Sequence, residues 1–206
     1  MKDLPEDAFH RQDESPDEFF YNQPRFVTHI DDAAIAAVTQ LHREYLPPGG
    51  AILDLMSSWV SHLPPEATYD RVVGLGLNQA ELTRNPRLDA FVVQNLNTEP
   101  KLPFEDNTFD GAAITVSVDY LTQPVTVLRD LGRVLTTGAP VVISFSNRCF
   151  PSKAVAVWHQ LDDVGRLELV ARYLEAAGTW QDIEKHDRSP SEWGRDPLFA
   201  VTARTD

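Results

Sequence analysis

The stretch Ala51-Ile52-Leu53-Asp54-Leu55, followed at once by the polar turn Met56-Ser57-Ser58, constrains the fold more than any other part of the chain. Four apolar residues bracket one acid without polar alternation, so both faces of this strand must be covered. That is the pattern of an inner parallel strand. In an open α/β sheet such strands end at a crevice, where backbone N–H groups and the N-terminus of the next helix are free to bind a ligand. The segment from Asp54 to His62 is therefore read as the floor of a binding site, with capping of the following helix as the alternative role for Asp54.

The remaining chain supplies the rest of such a sheet. Asp31 or Asp32 reads as the N-cap of a helix in which Ile35, Val38, Leu41 and Leu46 recur near helical spacing, and Pro47-Pro48-Gly49-Gly50 stops it. Short apolar runs predict strands at 71–75, 91–94, 111–118 and 141–145, with a short helix at 76–82. A longer helix at 124–135 has Val125, Leu128, Leu131, Val134 and Leu135 on its buried side and ends at Thr136-Thr137-Gly138. Beyond Cys149, helices are expected at 152–161 and 164–177, the second stopped by Gly178, and then two final strands at 180–184 and 198–203. Strands alternating with helices predict an α/β chain with a parallel sheet and right-handed crossovers.

Size and charge narrow the class further. At 206 residues there is room for one domain with a full core. No apolar run approaches the 20 or so residues of a spanning helix, and the N-terminus MKDLPEDAFHRQ lacks the apolar centre of a secretory signal, so a cytoplasmic location and no membrane partner are expected. A single cysteine, Cys149, excludes an internal disulfide and a Cys-rich metal site. A formal charge of −13 repels a phosphate backbone, so nucleic acid is not an expected partner. Residues 1–18 carry seven acids against Lys2 and Arg11 and read as a mobile acidic lead-in to a single domain at 19–206. Within that domain 19–47 reads as a lid and helix, its first part, Phe19 to Ile30, aromatic enough to be pinned by burial.

Two segments carry a family resemblance: Leu102-Pro103-Phe104-Glu105-Asp106-Asn107-Thr108-Phe109-Asp110, and Arg129 to Ala139, RDLGRVLTTGA. With the Ser117 to Leu121 stretch, they resemble the class I S-adenosylmethionine-dependent methyltransferases, in particular the type 11 group that includes quinone-biosynthesis methylases. The similarity runs over about 51–145. It implies a Rossmann-like three-layer sandwich with a seven-stranded, mostly parallel sheet and an antiparallel C-terminal hairpin. It also implies S-adenosylmethionine as methyl donor, S-adenosylhomocysteine as product and a small-molecule acceptor. The departures fall in the cofactor site. Where the family has an acid and then a GxGxG turn, this chain keeps the acid, Asp54, and has no glycine from Leu55 to Ser61. The family's ribose-binding acid falls on Gly76, and the acid near adenine falls on Asn95. A degenerate methyltransferase fold that serves as a nucleoside- or partner-binding module is the alternative.

Carried over position by position, the resemblance implies a cofactor wall made of Asp54, Leu55, Met56, Ser57 and Ser58 after the first strand. Gly76, Leu77 and Asn78 follow the second strand, Asn95, Leu96 and Asn97 the third, and Ser117 and Val118 the fourth. Ser57 and Ser58 either offer hydroxyls and N–H groups to the carboxylate of a methionine moiety or cap the next helix. His29, Tyr21, Tyr120 and Asp119 are the candidates for catalysis, with His29 as general base because its unperturbed pKa lies near working pH. A surface His29, a core Tyr21 and a simple turn at Asp119-Tyr120 are the plainer alternatives. Trp59 is assigned to packing, His62 lacks the partners of a zinc ligand, and no metal site is expected. No GxSxG elbow supports hydrolysis.

Overall fold

The computed structural model describes residue 1 and residues 4–206, so Lys2 and Asp3 of the acidic lead-in lie outside the described residues. Strand β1 (Ala51–Leu55) pairs in parallel with β2 (Arg71–Gly76) on one side and with β4 (Gly111–Thr115) on the other. β3 (Ala90–Val93) extends the sheet beyond β2, and β5 (Pro140–Phe145) extends it beyond β4, both in parallel. The last two strands, β6 (Trp180–Asp187) and β7 (Phe199–Thr205), form a hairpin that joins antiparallel to β5. The sheet order is β3-β2-β1-β4-β5-β7-β6. This is the seven-stranded Rossmann-like sheet with an antiparallel C-terminal hairpin, and its order reverses between β1 and β4. The carboxyl ends of those two strands therefore flank the crevice where this topology binds ligands.

Successive residues of β1 feed two cores, as its unbroken apolar run requires. Ile52 packs with Val38 and Leu41 of α2 (Asp32–Tyr45), while Leu53 and Leu55 pack with Leu128 and Leu131 of α4 (Pro124–Val134) and Val170 and Leu174 of α6 (Asp163–Ala177). Asp31 is the N-cap of α2, accepting from the Ala34 N–H at 2.9 Å. α6 ends at Gly178, whose φ of +73° is the left-handed conformation that glycine adopts without strain. The two segments that carried the family resemblance meet at one side chain. Arg133 donates to the carbonyl oxygens of Leu102 and Phe104 and to the carboxylates of Asp106 and Asp130. These motif residues thus shape the approach to β4, and they do so away from the cavity.

Two expectations are corrected. First, no helix follows β1. Residues 56–70 cross to β2 as irregular chain, with Met56 at φ +60° and His62 at φ +50°. Pro64-Pro65 supply no N–H groups for a helix, and the earlier N–H of Ser57 is taken by the Leu75 carbonyl at 2.8 Å. Second, the helix expected at 152–161 is shortened to α5 (Ala156–Gln160). The N–H groups of Val155, Ala156 and Val157 donate instead to the carbonyls of Asp119, His10 and Ala8. The acidic lead-in is laid along that same segment from Ala8 onward. Ala8 is buried, and the Nζ of Lys153, itself fully buried, donates to the Ser15 carbonyl at 2.7 Å and pairs with Asp13 and Asp17. Arg11 pairs with Asp17 at 2.6 Å. Asp13 and Asp17 of the lead-in are thus countered by Lys153, a cation distant in sequence. Among the described residues no helix is long and apolar enough to cross a membrane.

Candidate active site

A cavity of about 310 Å³ opens at the carboxyl ends of β1, β2 and β4, a size at the lower end of small-molecule sites. Its floor comes from the chain just past β1. Asp54 is buried there, and its Oδ2 accepts from the hydroxyls of Ser57 at 2.5 Å and Ser61 at 2.6 Å. Burial raises the Asp54 carboxyl to about 6, and the two serine hydrogen bonds oppose that shift. The acid thus folds residues 57–61 back over the end of the sheet. A turn bound this way takes the place of the glycine turn and its helix.

The same turn explains Gly76. A Cβ there would lie 2.2 Å from the backbone oxygen of Ser57 and 3.2 Å from a methyl of Leu82. The absence of a side chain at the end of β2 is therefore a packing requirement. The acid on this side of the cavity is Glu81, in the first turn of α3 (Gln79–Arg84), whose carboxylate accepts from the Ser58 hydroxyl at 2.7 Å and the Arg25 N–H at 2.6 Å. Beyond β3, Asn95 donates to Glu18 at 2.8 Å and accepts from the Asn97 N–H. Asn97 in turn donates to Asp17 and to the Tyr120 carbonyl.

The roof is the segment from Asp17 to His29, which begins with α1 (Asp17–Phe20). Asn78 donates to the carbonyls of Tyr21 and Asn22, tying this strap to the end of β2. Trp59 donates its indole N–H to the Val27 carbonyl at 3.0 Å and packs edge-on against Phe26, so its assignment to packing agrees with its contacts. His62 lines the wall, and its carbonyl faces the Nδ1 of buried His42 at 3.1 Å.

Of the residues inferred from the resemblance, His29, Tyr21, Tyr120, Asp54, Met56, Ser57, Ser58, Gly76, Leu77, Asn78, Asn95, Leu96, Asn97 and Ser117 all reach the cavity wall. Leu55, Val118 and Asp119 do not. Leu55 and Val118 point into the core, and Asp119 is buried outside the wall with one carboxylate oxygen lacking a hydrogen-bond partner. Desolvation pushes the Asp119 carboxyl up to about 7. Burial and then the charge of Asp119 hold the Tyr21 phenol well above its usual range, so Tyr21 is a hydrogen-bond donor at neutral pH. Tyr120 accepts from the Phe150 N–H at 2.8 Å, and its own O–H is engaged by the Asp119 carboxyl, which opposes the desolvation of that acid. His29 is exposed at the rim with its ring 5.2 Å from that of Phe150, and partial desolvation lowers its pKa despite an opposing effect of Glu81.

Sequence reasoning missed Glu81 and Thr115. Among the described residues the hydroxyls of Thr115 and Ser117 and the Nη1 of Arg25 are buried polar atoms of this wall without partners. Thr115 carried a signal, since it is the last residue of a buried strand that ends at the crevice. Glu81 carried none that spacing reveals, because it enters the wall from a separate element. For S-adenosylmethionine, the unpartnered hydroxyls and the partly apolar wall fit a ligand with polar arms. No helix follows β1 and no carboxylate ends β2 to receive it in the expected way.

Residues 56–143, a little under half of the chain, match the family model described as a methyltransferase domain. No curated protein sequence matches the chain. Among solved structures, the 4+2 cyclase SpnF is similar over 91% of both chains at 16% identity, with a TM-score of 0.63. An S-adenosylmethionine-dependent methyltransferase from Aquifex aeolicus is similar over 84% of this chain and 92% of its own, at 16% identity and a TM-score of 0.60. Phosphoethanolamine N-methyltransferase 2 from Haemonchus contortus, solved with S-adenosyl-L-methionine, gives 14% identity and a TM-score of 0.59 over 82% of this chain and 52% of that one. At these identities the likeness is one of fold.

Proposed function

We propose that this chain, which has the class I methyltransferase fold and carries the methyltransferase domain, binds S-adenosylmethionine and transfers its methyl group to a small-molecule acceptor. The observation that carries this reading is the cavity at the β1, β2 and β4 ends with unpartnered hydroxyls of Thr115 and Ser117 in its wall. Buried polar atoms without partners are rare in native proteins, and a polar ligand is the simplest way to satisfy them.

When bound, the cofactor supplies an electrophilic methyl group on a sulfonium. The protein's share is to align two reactants, keep water out and, for an acceptor that must lose a proton, provide a base. Asn95, Leu96 and Asn97 form the edge suited to the adenine, with Asn97 already fixed by Asp17 and Tyr120. Glu81 stands nearest to the role left vacant at Gly76, because its carboxylate is held at the same end of β2 by Ser58 and Arg25. Ser57, Ser58, Thr115 and Ser117 line the region for the amino-acid arm. Asp54 acts through the turn it holds, as a positioning residue. His29 is neutral at pH 7, since its pKa is lowered, and serves as the base at the rim; Tyr120 lines the acceptor side with a hydroxyl held between the Phe150 N–H and Asp119.

Incubation with methyl-labelled S-adenosylmethionine and a fractionated cell extract tests this reading. Label in the low-mass fraction is expected. Label confined to protein or nucleic acid would overturn the small-molecule acceptor, and no transfer to any fraction would overturn turnover.

A further inference from the structure

The acids of the cavity wall are all engaged by donors, whereas a guanidinium in the same wall is not. Asp54 is held by Ser57 and Ser61, Asp17 by Arg11 and Lys153, and Glu81 by Ser58 and the Arg25 N–H. Arg25 donates one guanidinium N–H to the Phe20 carbonyl at 2.9 Å, and its buried Nη1 has no partner. The guanidinium lies among the rings of Phe20, Phe150 and Tyr21, 4.6, 5.2 and 5.8 Å from their centroids. Such rings hold a cation in place and leave its edge open for a planar anion. A second arginine, Arg148, stands in the same wall on the segment that carries Phe150, its Nε fixed by Asp196 at 2.7 Å. In a chain of formal charge −13, two arginines in one cavity oppose the overall field. The Arg25 guanidinium reaches Phe150 on the segment past β5, while its backbone N–H is held by Glu81 at the β2 end.

We infer that the methyl acceptor carries a carboxylate on an apolar body, bound by the Arg25 guanidinium with Arg148 at the entrance. This rests on the reading of the cavity as a methyltransferase site and names the class of its acceptor. The carboxylate gives Arg25 Nη1 the acceptor it lacks, and the rings of Phe150 and Tyr21 meet the apolar body. The methionine carboxylate of the cofactor has the same chemistry, so the experiment must separate the two sources.

Calorimetry of S-adenosylhomocysteine on the wild type, Arg25→Met and Arg148→Met comes first. Benzoate and its neutral isostere benzamide are then titrated into each protein saturated with S-adenosylhomocysteine. The expected result is that benzoate binds the wild type at least tenfold more tightly than benzamide. Arg25→Met should remove that preference while changing S-adenosylhomocysteine affinity by less than twofold, and Arg148→Met should lower it in part. A tenfold effect is what one charge-assisted hydrogen bond of about 1.5 kcal/mol provides. Arg25→Lys, which keeps the charge, serves if the Met variant does not fold, and it should retain part of the preference. Equal binding of benzoate and benzamide, or no binding of either, would overturn the inference and leave the methyltransferase reading intact. Loss of S-adenosylhomocysteine affinity in Arg25→Met would overturn it by assigning the guanidinium to the cofactor's own carboxylate. No binding of S-adenosylhomocysteine to the wild type would overturn the methyltransferase reading and this inference with it.

Discussion

Replacing Gly76 by alanine is a direct test of how the cavity floor is built. The added Cβ would lie 2.2 Å from the Ser57 oxygen, 0.8 Å inside the 3.0 Å that real Cβ contacts essentially never cross, and that oxygen belongs to backbone. The neighbouring N–H of Ser57 is bonded to Leu75 at 2.8 Å, so the turn cannot retreat without weakening that bond. Overpacking of this kind costs about 1–3 kcal/mol. Strain on one backbone hydrogen bond adds roughly 1 kcal/mol. The lower entropy of the unfolded alanine chain returns about 0.4–1 kcal/mol. The net expectation is a destabilisation of about 1–3.5 kcal/mol, or a fall of roughly 2–14 °C in Tm for a domain of this size. Urea unfolding and thermal melts followed by circular dichroism measure both. A variant within about 0.5 kcal/mol of the wild type would refute the close approach of Ser57, and with it the account of why β2 ends without a carboxylate. The same clash argues against restoring that carboxylate by Gly76→Asp, which would displace the turn before it reached a ribose.

Two further outcomes are expected. Asp119 has its pKa raised to about 7 by desolvation, so its contribution to stability is complete below the ordinary value of 3.8 and is lost as pH rises through 7. Ionised at pH 8, it costs roughly 4 kcal/mol. Asp119→Asn should therefore raise Tm relative to the wild type at pH 8 and leave little difference near pH 4; an equal change at both pH values would contradict the buried carboxylate. Lys153→Met removes one cation from Asp13 and Asp17 while Arg11 still pairs with Asp17, so a loss of about 1–3 kcal/mol is expected. Amide exchange should speed up at residues 8–17 in that variant, and unchanged protection there would show that the strap is held by other contacts.

The middle of the sheet was legible in the sequence because its strands are inner ones, and apolar runs with a single polar residue, such as Ile52 to Leu55 and Val141 to Phe145, admit few other environments. Helix ends were legible where capping chemistry marks them, at Asp31 and Gly178. The cavity wall was reached strand by strand, since the ends of β1 to β4 follow from the topology. Legibility failed where tertiary partners decide. Ser57 and Ser58 looked free to cap a helix or meet a ligand, yet Asp54 takes the hydroxyl of Ser57 and Glu81 that of Ser58. The acidic lead-in was read on its charge alone, and Lys153, more than 130 residues away, provides the countercharge. Arg25 and Glu81 enter the wall through a strap and a helix whose docking no spacing rule gives.

The most direct measurement is calorimetric titration of S-adenosylmethionine and S-adenosylhomocysteine into the purified protein and into the double variant Thr115→Val, Ser117→Ala. Those two hydroxyls are the unpartnered groups on which the assignment of the cavity rests. Saturable one-to-one binding with a dissociation constant below about 1 mM is expected for the wild type. The double variant should bind roughly tenfold more weakly, as loss of two neutral hydrogen bonds requires. No heat with either compound at millimolar concentration would contradict the assignment of this cavity as a methyltransferase cofactor site, and unaltered affinity in the double variant would move the cofactor away from β4.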